Sequence, residues 1–277
     1  MWIFCCGMIR SGSTLQYQIA SELVEELAVG RRMGGVNENI FNSLLKSHKE
    51  TRDLAVIKCH WFFDKAGELI KEGEAKGIYI YRDIRDVVVS MMKHTDRSFT
   101  RLLMGRLVEK VLRSYRQWQG SGKILVSRYE DMVLDRSGEV MRIANHMGLT
   151  IDKPMADTIA DKYSIEKQKE RIRNLDYQSI YRRHKRRNAP DEHSFLKSNH
   201  IQSGKTGEWR SALKWYESAM IEQIAHRWLV ENGYPISQSW TRRQLMGALY
   251  YLILRPAGFL GQTMIKVLKF IRIRLWK

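Results

Sequence analysis

Proline is scarce in this 277-residue chain, at four residues, and there is no low-complexity run and no internal repeat, which argues against long disordered linkers. Three cysteines, Cys5, Cys6 and Cys59, are an odd number with two of them adjacent, so they form neither a disulfide framework nor a zinc spacing. They read as buried thiols in a reducing compartment. No His-Glu-x-x-His pattern occurs, and His184, His193 and His200 are too dispersed for a ligand set, so no metal is expected. No apolar run reaches the ~20 residues that span a bilayer. Met1–Gly7 has no basic n-region and no long apolar core, and it reads as a strand rather than a signal peptide; the expected compartment is the cytoplasm. The triphosphate loop Gly-x-x-x-x-Gly-Lys-Ser/Thr is absent. So are helix-turn-helix, RNA-binding and finger signatures, so no nucleic-acid partner is expected.

What is present suits an α/β domain with a core. Hydrophobic residues make up 44% and charged residues 28%. The 47 Lys and Arg against 30 Asp and Glu leave a net charge of +17, which implies an anionic partner. Short apolar runs at Trp2–Gly7, Ala55–Cys59, Gly77–Tyr81 and Lys123–Ser127 read as buried strands. Helical segments separate them: Leu15, Ile19, Leu23 and Leu27 fall four apart, and further helices are expected over Lys65–Lys71 and Asp86–Lys93. The alternation predicts parallel βαβ units, that is, a central parallel sheet flanked by helices. Such sheets hold ligands beyond the carboxyl ends of their strands, so Arg10, His60, Arg82 and Tyr129 should converge on one crevice. Lys214–Asn232 reads as a single helix stopped by Gly233 and Pro235. The expected organisation is one domain over 1–240 and a basic, helical, amphipathic tail over 241–277.

Between the first strand and helix lies Met8-Ile9-Arg10-Ser11-Gly12-Ser13-Thr14. A helix N-terminus offers unpaired N–H groups and a positive dipole end to a phosphate. Gly12 lets the backbone come close, Ser11, Ser13 and Thr14 offer hydroxyls, and Arg10 offers a cation. The stretch Arg10 to Leu15 resembles the 5′-phosphosulfate loop of the sulfotransferase superfamily, with Arg10 where lysine is usual. The resemblance implies a P-loop-like three-layer sandwich, 3′-phosphoadenosine 5′-phosphosulfate (PAPS) as donor, 3′-phosphoadenosine 5′-phosphate (PAP) as product, and no metal. Three later segments extend it. Arg82 and Ser90, eight residues apart across a strand end and a helix, resemble the 3′-phosphate motif, while Asp83, Arg85 and Asp86 read as alternating surface charges. Tyr129-Glu130-Asp131 resembles the adenine-contacting segment, and Tyr163–Glu166, with Ser164, a further cofactor stretch. Gly204, Lys205, Thr206 and Gly207 resemble the late glycine-rich loop, where Gln202 and Ser203 depart from the usual Arg-Lys and Lys205 or Arg210 stands in.

Lys58-Cys59-His60 resembles the family's Lys-x-His segment, which implies His60 as general base, with Lys58 and Arg10 stabilising the transferred sulfuryl group and leaving phosphate. Glu38, after the first helix, is the competing base. The acceptor, a hydroxyl or amine, is not specified by these residues. Tyr181 to Arg187 suits a polyanionic acceptor or a solvated face. No acidic residue occurs from Thr241 onward, apolar runs there alternate with isolated cations, and Arg255-Pro256 is expected to break the tail. An interfacial segment on an anionic membrane is the reading, against a terminal helix packed on protein, and it leans the acceptor towards a lipid, glycolipid or glycan. The other functional readings are a binding module that has lost catalysis and, further off, a nucleotide kinase.

Overall fold

The computed structural model describes residues 1–47, 53–184, 189–191, 193–199, 201 and 204–260. In chain order the first elements are β1 (Trp2–Gly7), α1 (Ser13–Glu26), β2 (Gly30–Gly35), α2 (Glu38–Ser47), β3 (Leu54–Lys58), α3 (Asp64–Glu72) and β4 (Ala75–Tyr81). Then come α4 (Ile84–Thr95), α5 (Phe99–Met104), α6 (Leu107–Gln119), β5 (Ile124–Arg128), α7 (Tyr129–Leu134) and α8 (Arg136–Met147). The rest is helical: α9 (Lys153–Lys162), α10 (Ile165–Asn174), α11 (Tyr177–His184), α12 (Trp209–Ala212), α13 (Trp215–Ile224), α14 (His226–Glu231) and α15 (Trp240–Leu249), followed by a π-helical turn over Tyr250–Leu254. Two compact units result, Met1–Arg82 with Ser114–Gly204 and Asp83–Arg113 with Lys205–Lys277.

The first unit is built on a five-stranded sheet in the order β2-β3-β1-β4-β5, with every pairing parallel. All six residues of the central β1 are buried. Alternation along the strand divides them between two faces. Ile3 and Cys5 join Val56 and Ile78 against Ile19, Ala20 and Leu23 of α1 and Val140 and Ile143 of α8. Phe4 points the other way, with ring centroids 5.1 Å from Phe41, 5.9 Å from Phe63 and 6.3 Å from Trp118. Burial on both faces is why these strands read as unbroken apolar runs. All three thiols are free and buried.

β2 is the strand the pattern did not announce. Its sequence, Gly-Arg-Arg-Met-Gly-Gly, has no apolar alternation, and its side chains are mostly half-buried. It is an edge strand held by main-chain pairing to β3, with a register shift between Arg32 and Gly34.

In the second unit the helix expected over Lys214–Asn232 is two helices, α13 and α14, meeting at Ala225, and the stop at Gly233 takes a positive φ of 71°. α15 packs along α13. The chain then stays helical through 255–260, so Arg255-Pro256 does not break it. Proline lacks an N–H and crowds the carbonyl four residues back; the wider turn over Tyr250–Leu254 lies where that conflict would fall. Tyr250 is buried and donates its hydroxyl to Glu109 Oε1 at 2.7 Å. The Ile265–Lys277 run and Lys185, Arg186 and Arg187 of the basic stretch lie outside the described residues, as do Gln202 and Ser203.

Candidate active site

The loop from β1 to α1 depends on two left-handed residues, Arg10 at φ 63° and Gly12 at φ 92°. Gly12 is the residue before the helix; no side chain caps α1, and its first turn holds no acid. The N-terminal N–H groups therefore keep their positive end for an outside anion. A Cβ at Gly12 would lie 2.9 Å from the Tyr129 ring and 3.1 Å from Met132, so backbone and packing both require glycine. Ser13 and Thr14 are buried at the start of α1, and Leu15, half-buried, packs with Ile80, Tyr129 and Met132. The Ser11 hydroxyl lies 2.6 Å from the Met8 carbonyl and 3.1 Å from that of Ile80, and its N–H donates to Met8. Fully buried, the hydroxyl ties the loop to β4.

Beyond the strand ends the first unit collects cations. Lys58 closes β3 and is buried, with Nζ 2.9 Å from His60 Nε2. A protonated lysine donates there, which leaves the imidazole hydrogen on Nδ1, 3.4 Å from the Gly7 carbonyl and 3.5 Å from Ser13 Oγ. Burial pushes the Lys58 ammonium down to about 8, and the charges of Lys197 and Arg10 push the same way. Burial, and then the charge of Arg82, brings Arg10 down to about 10. Arg82, buried just past β4, stacks its guanidinium 4.7 Å from the Tyr129 ring centroid. Tyr129 opens α7 and donates its hydroxyl to the Gly204 carbonyl at 3.0 Å. Arg10, Lys58, His60, Arg82 and Tyr129 are thus brought to the carboxyl ends of the strands, where like charges repel each other in a partly dry setting. A polyanion relieves that arrangement.

Other expected residues have local roles. Ser164 caps α10 by accepting from the Lys167 N–H at 3.4 Å. Glu38 opens α2 on the exposed surface. Lys205 and Thr206 are exposed between Gly204 and Gly207, whose φ angles are 71° and 73°. Ser90 is buried on α4 in the second unit. Among the described residues no His, Cys, Asp and Glu side chains gather into a group that could hold a metal ion.

The expected surface charges on α4 are buried. Arg85, fully enclosed, donates to Asp83 Oδ2 at 2.8 Å, Glu222 Oε1 at 2.7 Å and the Pro235 carbonyl at 2.8 Å, and lies 3.7 Å from the Trp209 ring centroid. Asp86 accepts from the N–H groups of Gly207 at 2.7 Å and Trp209 at 2.9 Å. It thereby fastens the glycine loop to α4, four residues before Ser90 on the same helix face. The signal was Val87-Val88-Val89: a helix apolar around its circumference is enclosed, so charges within it need partners rather than water.

Residues 2–233 match the family described as sulfotransferase domain. A rabbit (Oryctolagus cuniculus) amine sulfotransferase is 23% identical over 195 residues, which is 63% of this chain and 60% of that relative. Among solved structures, a mouse sulfotransferase complexed with PAP superposes with a TM-score of 0.60 at 16% identity, covering 90% of this chain and 88% of that one. Retinol dehydratase in complex with androsterone and PAP gives 0.58 at 18% identity, covering 86% and 82%. Both share the fold of a parallel sheet flanked by helices. With the family matched across most of its length, the chain belongs to the sulfotransferases.

Proposed function

We propose that this protein moves a sulfuryl group from PAPS to an acceptor hydroxyl or amine. The supporting observation is the Lys58–His60 contact of 2.9 Å beside an uncapped helix N-terminus and two neighbouring guanidiniums. In this reading the loop from Arg10 to Leu15 holds the 5′-phosphosulfate, Arg82 and Ser90 the 3′-phosphate, and Tyr129, Ser164 and Gly204–Gly207 the remainder of the nucleotide. When the sulfuryl group arrives, the Lys58 ammonium turns from His60 Nε2 to the sulfuryl oxygens and frees the imidazole lone pair. The acceptor oxygen or nitrogen then bonds to sulfur as the sulfur–phosphate oxygen bond breaks. The acceptor proton passes to His60, and the charge left on PAP is met by Arg10 and the helix terminus. The rabbit relative is named for amines, which supports the amine side of the acceptor choice.

Lys58 supplies a pH test. Its ammonium is held at about 8, so near that pH roughly half of it is neutral without ligand. Because its proton affinity is lowered by folding, the apo protein gains stability from this group as pH rises from about 8 towards the usual lysine value. A bound polyanion reverses the shift. PAP binding near pH 8 is therefore expected to take up protons, seen by calorimetry as a binding enthalpy that depends on buffer ionisation heat, and Lys58→Met removes that dependence. Transfer of labelled sulfate from PAPS to a panel of hydroxyl and amine acceptors tests the reaction. Binding of PAP without turnover on any of them would favour the binding-module reading.

A further inference from the structure

Two of the three cysteines face each other next to the candidate base. Cys5 pairs with Lys58 across β1 and β3, and the Cys59 N–H donates to the Cys5 carbonyl at 3.0 Å, which sets Cys59 beside Cys6 on the next rung. Neighbours on one rung point to the same face of a sheet. Cys5 lies on the opposite face, packed with Ile3, Val56 and Ile78. The facing thiols meet: burial, and then a hydrogen bond with the Cys59 side chain, raises the Cys6 thiol well above its usual range. Cys6 Sγ also lies 3.3 Å from the Ile78 carbonyl and 3.4 Å from that of Phe4. Both residues are free thiols.

Spacing decides what joining them would do. Side chains on adjacent strands start about 4.8 Å apart, whereas a disulfide holds its two Cβ atoms at about 3.8 Å. One partner has to move. Cys6 is fixed within the central strand, with Tyr79 of β4 on its other side, while β3 ends at Lys58 and Cys59 is the first residue past it. Cys59 is therefore the partner that gives, and it stands between Lys58 and His60, whose side chains meet at 2.9 Å. We propose that Cys6 and Cys59 are an oxidation site: a peroxide converts them to a disulfide, which draws Cys59 towards β1 and parts Lys58 from His60. Cys59, 3% exposed against none for Cys6, meets the peroxide first. Its sulfur attacks one peroxide oxygen, the O–O bond breaks, and a sulfenic acid forms with release of water. The Cys6 sulfur then bonds to the Cys59 sulfur and displaces the sulfenic oxygen, which leaves as a second water with the Cys6 proton. The two thiols lose two electrons and two protons, the peroxide gains them, and a dithiol reverses the change. Burial of both thiols makes the reaction slow. Its effect on sulfuryl transfer rests on the roles proposed for Lys58 and His60; the oxidation itself does not.

The experiment exposes the full-length protein to excess hydrogen peroxide and reads it by peptide mapping in a mass spectrometer, by NMR of the histidine imidazole nitrogens, and by sulfate transfer from PAPS. A cross-linked peptide joining Cys6 to Cys59, lighter by two hydrogens, is expected. The His60 signals, assigned by comparison with His60→Ala, shift on oxidation and return with dithiothreitol. Transfer falls by more than about tenfold and recovers likewise. Cys6→Ala abolishes the cross-link and the His60 shift, whereas Cys5→Ala behaves as wild type; the wild-type map decides even where Cys6→Ala fails to fold. Absence of the Cys6–Cys59 bond, sulfinic or sulfonic acid in its place, or a bond that leaves the His60 signals unmoved overturns the proposal. If the reduced protein transfers no sulfate either, the proposed function fails, and the peptide map and His60 signals still uphold or overturn the oxidation site.

Discussion

His60→Ala is expected to lower kcat for sulfuryl transfer by about 10²–10⁴, with the PAP dissociation constant within about twofold of wild type. The reasoning starts from position. The imidazole stands two residues beyond the buried end of β3, with Nδ1 facing the Gly7 carbonyl and Ser13 Oγ and Nε2 facing Lys58. A hydrogen on Nδ1 keeps the lone pair on Nε2, the nitrogen that exchanges Lys58 for an acceptor proton. Removing the ring leaves the phosphate-binding elements in place, so chemistry and binding should separate. The measurement is steady-state transfer with the donor saturating, beside calorimetric titration of PAP. A loss under tenfold with binding intact would remove His60 from the role of base.

Arg82→Ala is expected to weaken PAP by about a hundredfold while leaving 5′-AMP nearly unchanged. The guanidinium is buried and lies over the Tyr129 ring, 4.7 Å from its centroid, so a bidentate bond to a 3′-phosphate would carry little reordering cost. Its repulsion of Arg10 is already present in the empty site and is relieved by the nucleotide. The contrast between the two ligands separates recognition from damage. If PAP and 5′-AMP weaken by the same factor, Arg82 supports Tyr129 and the loop rather than reading the 3′-phosphate.

Much of this architecture was legible in the sequence because its inner strands β1, β3 and β4 are buried on both faces. Trp2–Gly7 and Gly77–Tyr81 stand out as apolar runs, and the residues just past them fall at the sheet's carboxyl ends by topology alone. Arg10, His60, Arg82 and Tyr129 were legible for that reason, and Lys58 through its alternation with His60 at the end of β3. β2 was not, since an edge strand secured by main-chain bonds places no demand on its side chains. The roles of Asp83, Arg85 and Asp86 were hidden too: charges alternating along a helix look alike whether they face water or Glu222 and the Gly207 N–H, more than a hundred residues away in sequence. The bonds of the buried Ser11 hydroxyl to the Met8 and Ile80 carbonyls were hidden as well, since they depend on how the loop meets β4.

The central claim is that the cations beyond the strand ends form a site for a 3′-phosphorylated adenine nucleotide. Calorimetric titration of the wild-type protein with PAP, beside 5′-AMP and ATP, tests it most directly. The account predicts that PAP binds at least about a hundredfold more tightly than 5′-AMP, since the two differ only by the phosphate assigned to Arg82. Equal affinities for PAP and 5′-AMP, or tighter binding of ATP, would contradict it.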